Sequence, residues 1–333
     1  MHILAALVLL FPAIVSAQGD YPLRTAFSVV KVQSYGERGK VFLGSGVIIA
    51  PNEVVTNCHV TKEARSVMIA KGGRRYRVQT QQADVPHDLC LLHADGLDLP
   101  PIRVGETSAL KTGDGVFFFG YPGGDGISFS RGAIAALYGY DGSRVIETTA
   151  GFGLGASGGG LFDAEGRLIG VTTFLPSRRG ERFYAVPADW IGPLRRHPPA
   201  EVKPLAGSAF WEGAEDVQPY FLRIAARAQA GDWAAVRALA AAWTRAEPSN
   251  PQGWLALGRA SRNAGARGAA LDALKKSVAL APEDPEAWYC LGLAYAEAGE
   301  STETETIRRR LADLDRTLAD KLKACRASCA QAC

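Results

Sequence analysis

Residues 155–173 read GASGGGLFDAEGRLIGVTT, a glycine-rich turn around Ser157 followed by short apolar runs. Similar runs, rich in Val, Ile, Phe and Thr and bounded by Gly, Pro, Asn or Asp, recur throughout the first half of the chain. Of the 37 glycines, 28 precede residue 194. This pattern predicts many short antiparallel strands joined by tight turns, hence a barrel or a sandwich. The runs are 27–32, 41–49, 66–69, 116–119, 144–149 and 168–174.

Composition limits the classes of function. The 333 residues include 37 Lys and Arg against 34 Asp and Glu, so the formal net charge is only +3. This balance argues against a nucleic-acid partner, because phosphate binding needs a concentrated basic face. Hydrophobic residues make up 47% and charged residues 21%, which is typical of a globular protein. The length predicts about two domains, each with its own core.

The N-terminal stretch has the pattern of a secretory signal. Residues 3–15 are apolar and are followed by Ser16 and Ala17, a small-residue cleavage pattern. A run this short, interrupted by Pro12, does not span a bilayer of about 30 Å. We therefore expect residues 1–17 to be cleaved after Ala17, with an uncleaved anchor as the alternative. The mature chain is expected to have no membrane span, and to be secreted or periplasmic, where cysteines are oxidised.

The second half of the chain is Ala-rich and contains a 34-residue repeat. The repeated positions are Tyr220, Trp254 and Trp288; Gly231, Gly265 and Gly299; Pro248 and Pro282; Leu257 and Leu291; and Gly258 and Gly292. The period and these positions resemble the tetratricopeptide repeat. Each unit is then a helix hairpin in which Gly258 permits close approach, Gly265 makes the turn and Pro282 ends the second helix. The alternative is an irregular helical bundle.

These patterns divide the mature chain into four parts. Residues 18–194 are the β-rich domain, and residues 195–216, with three prolines and no periodicity, are a linker. Residues 217–318 are helical repeats, and residues 319–333 are a cysteine-containing tail. Stacked repeats expose a concave groove, so a protein partner is expected there.

Ser157 satisfies two catalytic patterns, and only one fits its context. The letters G-x-S-x-G also occur at the nucleophile elbow of α/β-hydrolases, where a helix follows the serine and the acid and histidine come later. Residues 160–163, GLFD, are a poor helix start, and the only later histidine is His197, in the proline-rich linker. The hydrolase interpretation therefore fails.

Upstream residues supply a better set. Residues 54–60, VVTNCHV, place His59 at the end of an apolar run, and residues 86–92, PHDLCLL, place Asp88 before another. The order His59, Asp88, Ser157 is that of the chymotrypsin-like proteases. Together with GSGVII at 44–49, these motifs make residues 25–192 similar to HtrA/Deg-type trypsin-like serine proteases.

This resemblance implies a double six-stranded β-barrel with the site between the barrels. It makes His59 the general base, Asp88 the residue that orients His59, and Ser157 the nucleophile. The N–H groups of Gly155 and Ser157 then form the oxyanion hole. No cofactor or metal is implied, and the substrates are proteins or peptides.

The resemblance also suggests a substrate pocket. Residues 184–187, YAVP, resemble the strand that lines it, which makes Tyr184 and Ala185 candidates. Gly151 occupies the position six before the nucleophile, where trypsins place a carboxylate. We therefore expect small or medium apolar side chains before the scissile bond.

Two departures from the family leave another function open. Ala156 replaces the aspartate that pairs with a new N-terminus in digestive trypsins, so activation by that route is absent. Helical repeats also follow the protease region, where HtrA-type enzymes commonly carry PDZ modules. A degenerate protease scaffold that only binds proteins is therefore the alternative to a serine endopeptidase.

The cysteines favour disulfides. If His59 and Asp88 hydrogen-bond, Cys58 and Cys90 lie on adjacent segments and can bridge. A metal site at Cys325, Cys329 and Cys333, which are spaced by four, is the weaker alternative in an oxidising compartment. Their pairing with one another or with Cys290 stays open.

Overall fold

The computed structural model describes residues 21–124, 126–173 and 183–324. A short helix, α1 (Tyr21–Phe27), precedes an antiparallel sheet, the N-terminal sheet, whose strand order is β14-β6-β7-β3-β2-β1-β4-β5. Its strands are β1 (Val29–Tyr35), β2 (Val41–Ala50), β3 (Glu53–Thr56), β4 (Ser66–Lys71), β5 (Arg74–Arg77), β6 (Thr80–Asp84), β7 (Leu89–His93) and β14 (Ala200–Glu201), with helix α2 (Cys58–Thr61) between β3 and β4.

A closed barrel, the C-terminal barrel, follows with the order β10-β13-β12-β11-β8-β9. Its strands are β8 (Gly115–Gly120), β9 (Ser128–Tyr140), β10 (Ser143–Thr148), β11 (Gly160–Asp163), β12 (Leu168–Thr173) and β13 (Phe183–Pro187), and helix α3 (Ile191–Leu194) comes after it. The predicted all-β protease-like half is confirmed. The N-terminal sheet has eight strands rather than the six implied by the resemblance, because β5 and β14 extend its two edges.

The helical half forms three consecutive hairpins and a final helix. The helices are α4 (Tyr220–Gln229), α5 (Trp233–Ala246), α6 (Pro251–Asn263), α7 (Arg267–Leu280), α8 (Pro285–Ala298), α9 (Ser301–Leu314) and α10 (Arg316–Ala324). Gly265 turns the middle hairpin with φ +70°, a left-handed conformation that glycine adopts without strain. A Cβ on Gly258 would lie 2.5 Å from Leu274 Cγ, so glycine permits this helix contact.

Successive repeats also share an equivalent hydrogen bond between a tryptophan side chain and a proline carbonyl. Trp254 Nε1 donates to Pro248 O and Trp288 Nε1 donates to Pro282 O, both at 2.9 Å. The predicted tetratricopeptide arrangement is therefore confirmed. The C-terminal boundary suggested at residue 318 falls within α10, which packs on α8 through Leu322 beside Gly292.

The predicted linker is packed rather than extended. Within residues 195–216, Ala200 and Glu201 form β14 and pair with β6, and Gln81 Nε2 donates to Lys203 O at 3.1 Å. The sequence lacks periodicity here because the segment follows the surface of the N-terminal sheet and makes only a two-residue strand.

One apolar cluster joins the protease-like half to the repeats. It contains buried side chains of both β units, of the linker and of the first repeat, among them Leu89, Phe162, Phe210, Phe221 and Trp243. The Phe221 ring of α4 stacks on the Tyr138 ring of β9, with centroids 4.4 Å apart and planes inclined by 7°. The repeats are therefore docked on the C-terminal barrel.

Two predictions concern residues outside this description. The signal sequence at residues 1–17 and the cysteines Cys325, Cys329 and Cys333 lie beyond the described residues. Across the described ranges, no helix combines the length and the hydrophobicity needed to cross a bilayer.

Candidate active site

His59 and Asp88 form a directly hydrogen-bonded pair. His59 lies in α2 and Asp88 in the turn between β6 and β7, and His59 Nδ1 is 2.7 Å from Asp88 Oδ2. The Asp88 carboxylate is 1% exposed, whereas the His59 side chain is 23% exposed. A buried carboxylate on Nδ1 fixes the orientation of the ring and leaves Nε2 on the other side for proton transfer.

The Asp88 carboxylate accepts hydrogen bonds from further donors. Besides the imidazole, its Oδ1 accepts the backbone N–H of His59 at 2.9 Å, and its Oδ2 accepts Thr173 Oγ1 at 3.0 Å. Thr173 belongs to β12 of the C-terminal barrel, so both β units hold this carboxylate.

The backbone around Asp88 is also fixed. Asp88 has φ +56°, and its carbonyl accepts Asn57 Nδ2 at 3.0 Å and the N–H of Cys58 at 3.2 Å. The Cys58–Cys90 disulfide joins the same two segments, with Cα atoms 4.9 Å apart. The predicted disulfide is thus confirmed. It links the residue before His59 to a residue just after Asp88.

The peptide group before Gly155 is turned so that its N–H has no hydrogen-bond partner among the described residues. Gly155 has φ +87°, and the Leu154 carbonyl accepts the N–H of Gly123 at 2.8 Å. Because the C=O and N–H of a trans peptide point in opposite directions, the N–H of Gly155 points away from Gly123. The Gly155 carbonyl in turn accepts Ser45 Oγ at 3.0 Å.

The peptide group before Ser157 is held in the same manner. The Ala156 carbonyl accepts the N–H of Gly159 at 2.8 Å and Thr172 Oγ1 at 2.8 Å. Within the described ranges, neither the N–H of Ser157 nor that of Gly155 donates a hydrogen bond. Both remain available to a developing oxyanion.

Close backbone packing brings Ser157 beside the histidine helix. Gly44 of β2 lies between the two: a Cβ there would be 2.6 Å from Val60 Cγ1 and 3.1 Å from Ser157 O. Ser157 O also accepts the N–H of Ser45 at 2.7 Å. Among the described residues, Ser157 Oγ and His59 Nε2 have no hydrogen-bond partner. Hydrogen bonds between a nucleophile and its base often form fully only when substrate binds.

A second histidine–aspartate pair is built differently. His87 Nδ1 is 2.8 Å from Asp84 Oδ2, and His87 Nε2 is 2.8 Å from Asp141 Oδ2. Burial disfavours the charged imidazole, but these two carboxylates outweigh it and raise the pKa of His87. With both ring nitrogens engaged, and its ring 4.1 Å from that of Trp190, His87 joins the two β units and is not positioned as a base.

The pocket residues do not all converge. A Cβ on Gly151 would lie 3.3 Å from the Phe183 ring, and the Phe183 ring is 5.0 Å from that of Phe152. Neighbouring side chains of a strand point to opposite faces, and Tyr184 belongs to the apolar cluster that includes Phe221. Ala185 is fully buried inside the C-terminal barrel. Phe183, which the sequence did not single out, also lies beside Gly151.

Residues 44–171 match the sequence model of the trypsin-like peptidase domain. The β-rich half is therefore similar to trypsin-like peptidase domains. Residues 251–298 of the helical half match the tetratricopeptide repeat. The trypsin-like domain thus holds His59, Asp88 and Ser157, and the repeats follow it.

Relatives of the trypsin-like domain are HtrA/Deg-type proteases. The periplasmic serine endoprotease DegP of Salmonella typhimurium is 32% identical over 162 residues, 45% of this chain and 34% of DegP. A probable serine protease do-like protein of Buchnera aphidicola is 31% identical over 189 residues, 52% of this chain and 39% of that protein. The predicted resemblance is confirmed, although the matches span well under half of these relatives.

One solved structure shares the fold over almost its full length. The active form of the Rv3671c protease from M. tuberculosis superimposes with a TM-score of 0.51 and 26% identity, covering 62% of this chain and 99% of that one.

Proposed function

We propose that this protein is a serine endopeptidase that uses His59, Asp88 and Ser157. Ser157 Oγ attacks the scissile carbonyl carbon while His59 Nε2 accepts its proton, and Asp88 stabilises the resulting imidazolium. The N–H groups of Gly155 and Ser157 bind the oxyanion. His59 then returns the proton to the leaving amine, which gives an acyl-enzyme that water hydrolyses.

The observation that carries this proposal is the His59–Asp88 pair. The Asp88 carboxylate is 1% exposed, lies 2.7 Å from His59 Nδ1 and is held by further donors. It orients an imidazole whose other nitrogen makes no hydrogen bond to a described residue. By contrast, both ring nitrogens of His87 are hydrogen-bonded to carboxylates, those of Asp84 and Asp141. The N–H groups of Gly155 and Ser157, which donate to no described residue, further support the proposal.

We also propose a secreted or periplasmic location and a protein partner for the repeats. The named relative DegP is periplasmic, residues 1–17 have the pattern of a signal sequence, and the Cys58–Cys90 disulfide fits an oxidising compartment. The helical repeats are a common surface for protein partners, so protein or peptide substrates and a separate protein partner are expected.

Casein cleavage by purified variants tests the proposal against a protease-like scaffold that only binds. Removing a member of a working triad typically costs on the order of a millionfold in turnover. We expect Ser157→Ala and His59→Ala to lose cleavage while keeping the parent's circular dichroism, and the matched control Ser108→Ala, at an exposed serine, to retain it. Cleavage by Ser157→Ala at the parental rate would refute the triad.

A further inference from the structure

The end of the linker contacts two segments of the chain, the end of helix α2, which carries His59, and the turn that carries Asp88. The N–H of Leu205 donates to Lys62 O at 2.8 Å, and the N–H of Phe210 donates to Pro86 O at 2.9 Å. Lys62 follows His59 by three positions, and Pro86 precedes Asp88 by two. We call residues 205–212 the bridging segment, because its backbone contacts both the end of α2 and the Asp88 turn.

Side chains on either side of Trp211 fix this segment. Phe210 is buried, with its ring 4.9 Å from Tyr140 and 6.3 Å from Trp190. Glu212 forms an ion pair of 2.7 Å with Lys62. Burial alone would raise the pKa of Glu212, but Lys62 and other donors lower it, so the carboxylate stays charged near neutrality.

Trp211 thereby reaches the proposed base. Its ring centroid lies 5.7 Å from that of His59, with the planes inclined by 85°, an edge-to-face contact. The imidazole is thus hydrogen-bonded to the Asp88 carboxylate through Nδ1 and packed against the indole ring. Rotation of the imidazole would break the 2.7 Å bond to Asp88, and a large rigid ring packed against it restricts that rotation.

The helical repeats hold Trp211 in turn. Gln218 Nε2 donates to Trp211 O at 3.2 Å and to Gly213 O at 2.8 Å. Gln218 lies two residues before α4, whose Phe221 is stacked on Tyr138. The place of the indole ring therefore depends on how the first repeat docks.

From this geometry we propose that Trp211 is a positioning residue for His59, supplied by the linker, and that it couples docking of the repeats to the geometry of the base. This inference rests on the proposed peptidase function. Trp211 transfers no proton. It keeps the imidazole in the rotamer that bonds Asp88 and shields that bond from water.

The test uses the full-length chain with Trp211→Ala and Trp211→Phe. The control is Val217→Ala, directly after the linker, at a residue 72% exposed. Two properties are measured: kcat and KM on a short peptide substrate, and the exchange with water of the proton in the His59–Asp88 hydrogen bond, seen by proton NMR. We expect Trp211→Ala to lower kcat about tenfold or more with KM within about twofold, and to speed that exchange. Trp211→Phe keeps an aromatic ring, so its kcat and its proton exchange rate should lie close to those of the parent. Val217→Ala should match the parent in both.

Two results would overturn the proposal. One is a folded Trp211→Ala protein with the parental kcat and the parental exchange rate. The other is a rise in KM with altered substrate preference and an unchanged exchange rate, which would make Trp211 a substrate contact. If Trp211→Ala fails to fold, Trp211→Leu, which keeps apolar bulk without the ring, is judged by the same criteria. If the parent protein hydrolyses no peptide, the proposed function fails, whereas the exchange measurement still decides whether Trp211 positions His59.

Discussion

Phe221 of the first repeat lies flat on Tyr138 of the C-terminal barrel, 4.4 Å between ring centroids. Tyr138 Oη also donates to Glu147 Oε2 at 2.6 Å, so the barrel side of this contact is fixed by a buried hydrogen bond. The two halves of the chain therefore share one apolar cluster, and the repeats are not a freely moving appendage.

Loss of this stack is expected to destabilise the protein. Phe221→Ala removes a ring that is 5% exposed, and truncation of a buried Phe typically costs about 3–5 kcal/mol. The matched control is Phe27→Ala, at a residue 60% exposed, which should cost far less. Urea unfolding measures both variants, and equal losses in their free energies of unfolding would contradict this docking.

The disulfide should contribute measurably to stability. Closing a loop of about 33 residues is worth roughly 3–4 kcal/mol in the chain-entropy model, so Cys58→Ala/Cys90→Ala should lose about that much free energy of unfolding. Peptide mapping without reductant identifies the bond directly. Alkylation of both cysteines in the unfolded, unreduced protein would show that the bond is absent.

Asp284 should make the stability of the repeats depend on pH. It caps α8, and its burial, reinforced by Glu286, raises its pKa from 3.8 to about 6. The folded state thus binds the proton more tightly, so stability is greatest below pH 4 for this group and falls by roughly 3 kcal/mol as pH rises through 6. Asp284→Asn keeps the cap and removes the titration.

Thermal unfolding at pH 4 and pH 7 tests this effect. The advantage of Asp284→Asn over the parent should grow from pH 4 to pH 7. Asn250 caps α6 at the equivalent position of the preceding repeat, so Asn250→Asp, at a less buried residue, is the reciprocal control. A difference between Asp284→Asn and the parent that does not change with pH would show that Asp284 does not titrate in this range.

Substrate preference should follow the apolar surroundings of Gly151. The Phe183 ring would lie 3.3 Å from a Cβ at Gly151, so the surroundings of this position are apolar and close. We therefore expect small or medium apolar side chains before the scissile bond. Phe183→Ala should extend the preference to larger apolar residues. Mass spectrometry of a cleaved peptide library measures the preference of the parent and of Phe183→Ala. Cleavage by the parent mainly after Arg or Lys would contradict the expectation.

The sequence predicted what local patterns determine. The order His59, Asp88, Ser157 and the 34-residue period each follow from residues at fixed positions in short motifs. The structure accordingly contains the His59–Asp88 pair, the disulfide and the helix hairpins. Strand alternation within residues 183–187 would also have indicated that Phe183 and Tyr184 face opposite sides.

The contribution of the linker could not be predicted in the same manner. Phe210 and Trp211 lie in a proline-rich segment without periodicity, and their burial depends on partners distant in sequence, such as Tyr140 and His59. The helix Arg316–Ala324 could not be predicted from the repeat either, because α10 carries none of the repeated aromatic and glycine positions.

Covalent labelling by a fluorophosphonate probe is the most direct test of Ser157 as the nucleophile, since only an activated serine reacts. We predict that the folded parent protein is labelled and that the adduct maps to Ser157. Ser157→Ala should then be unlabelled, and His59→Ala should react far more slowly. A folded parent protein that stays unlabelled under conditions in which trypsin reacts fully would contradict the proposed triad.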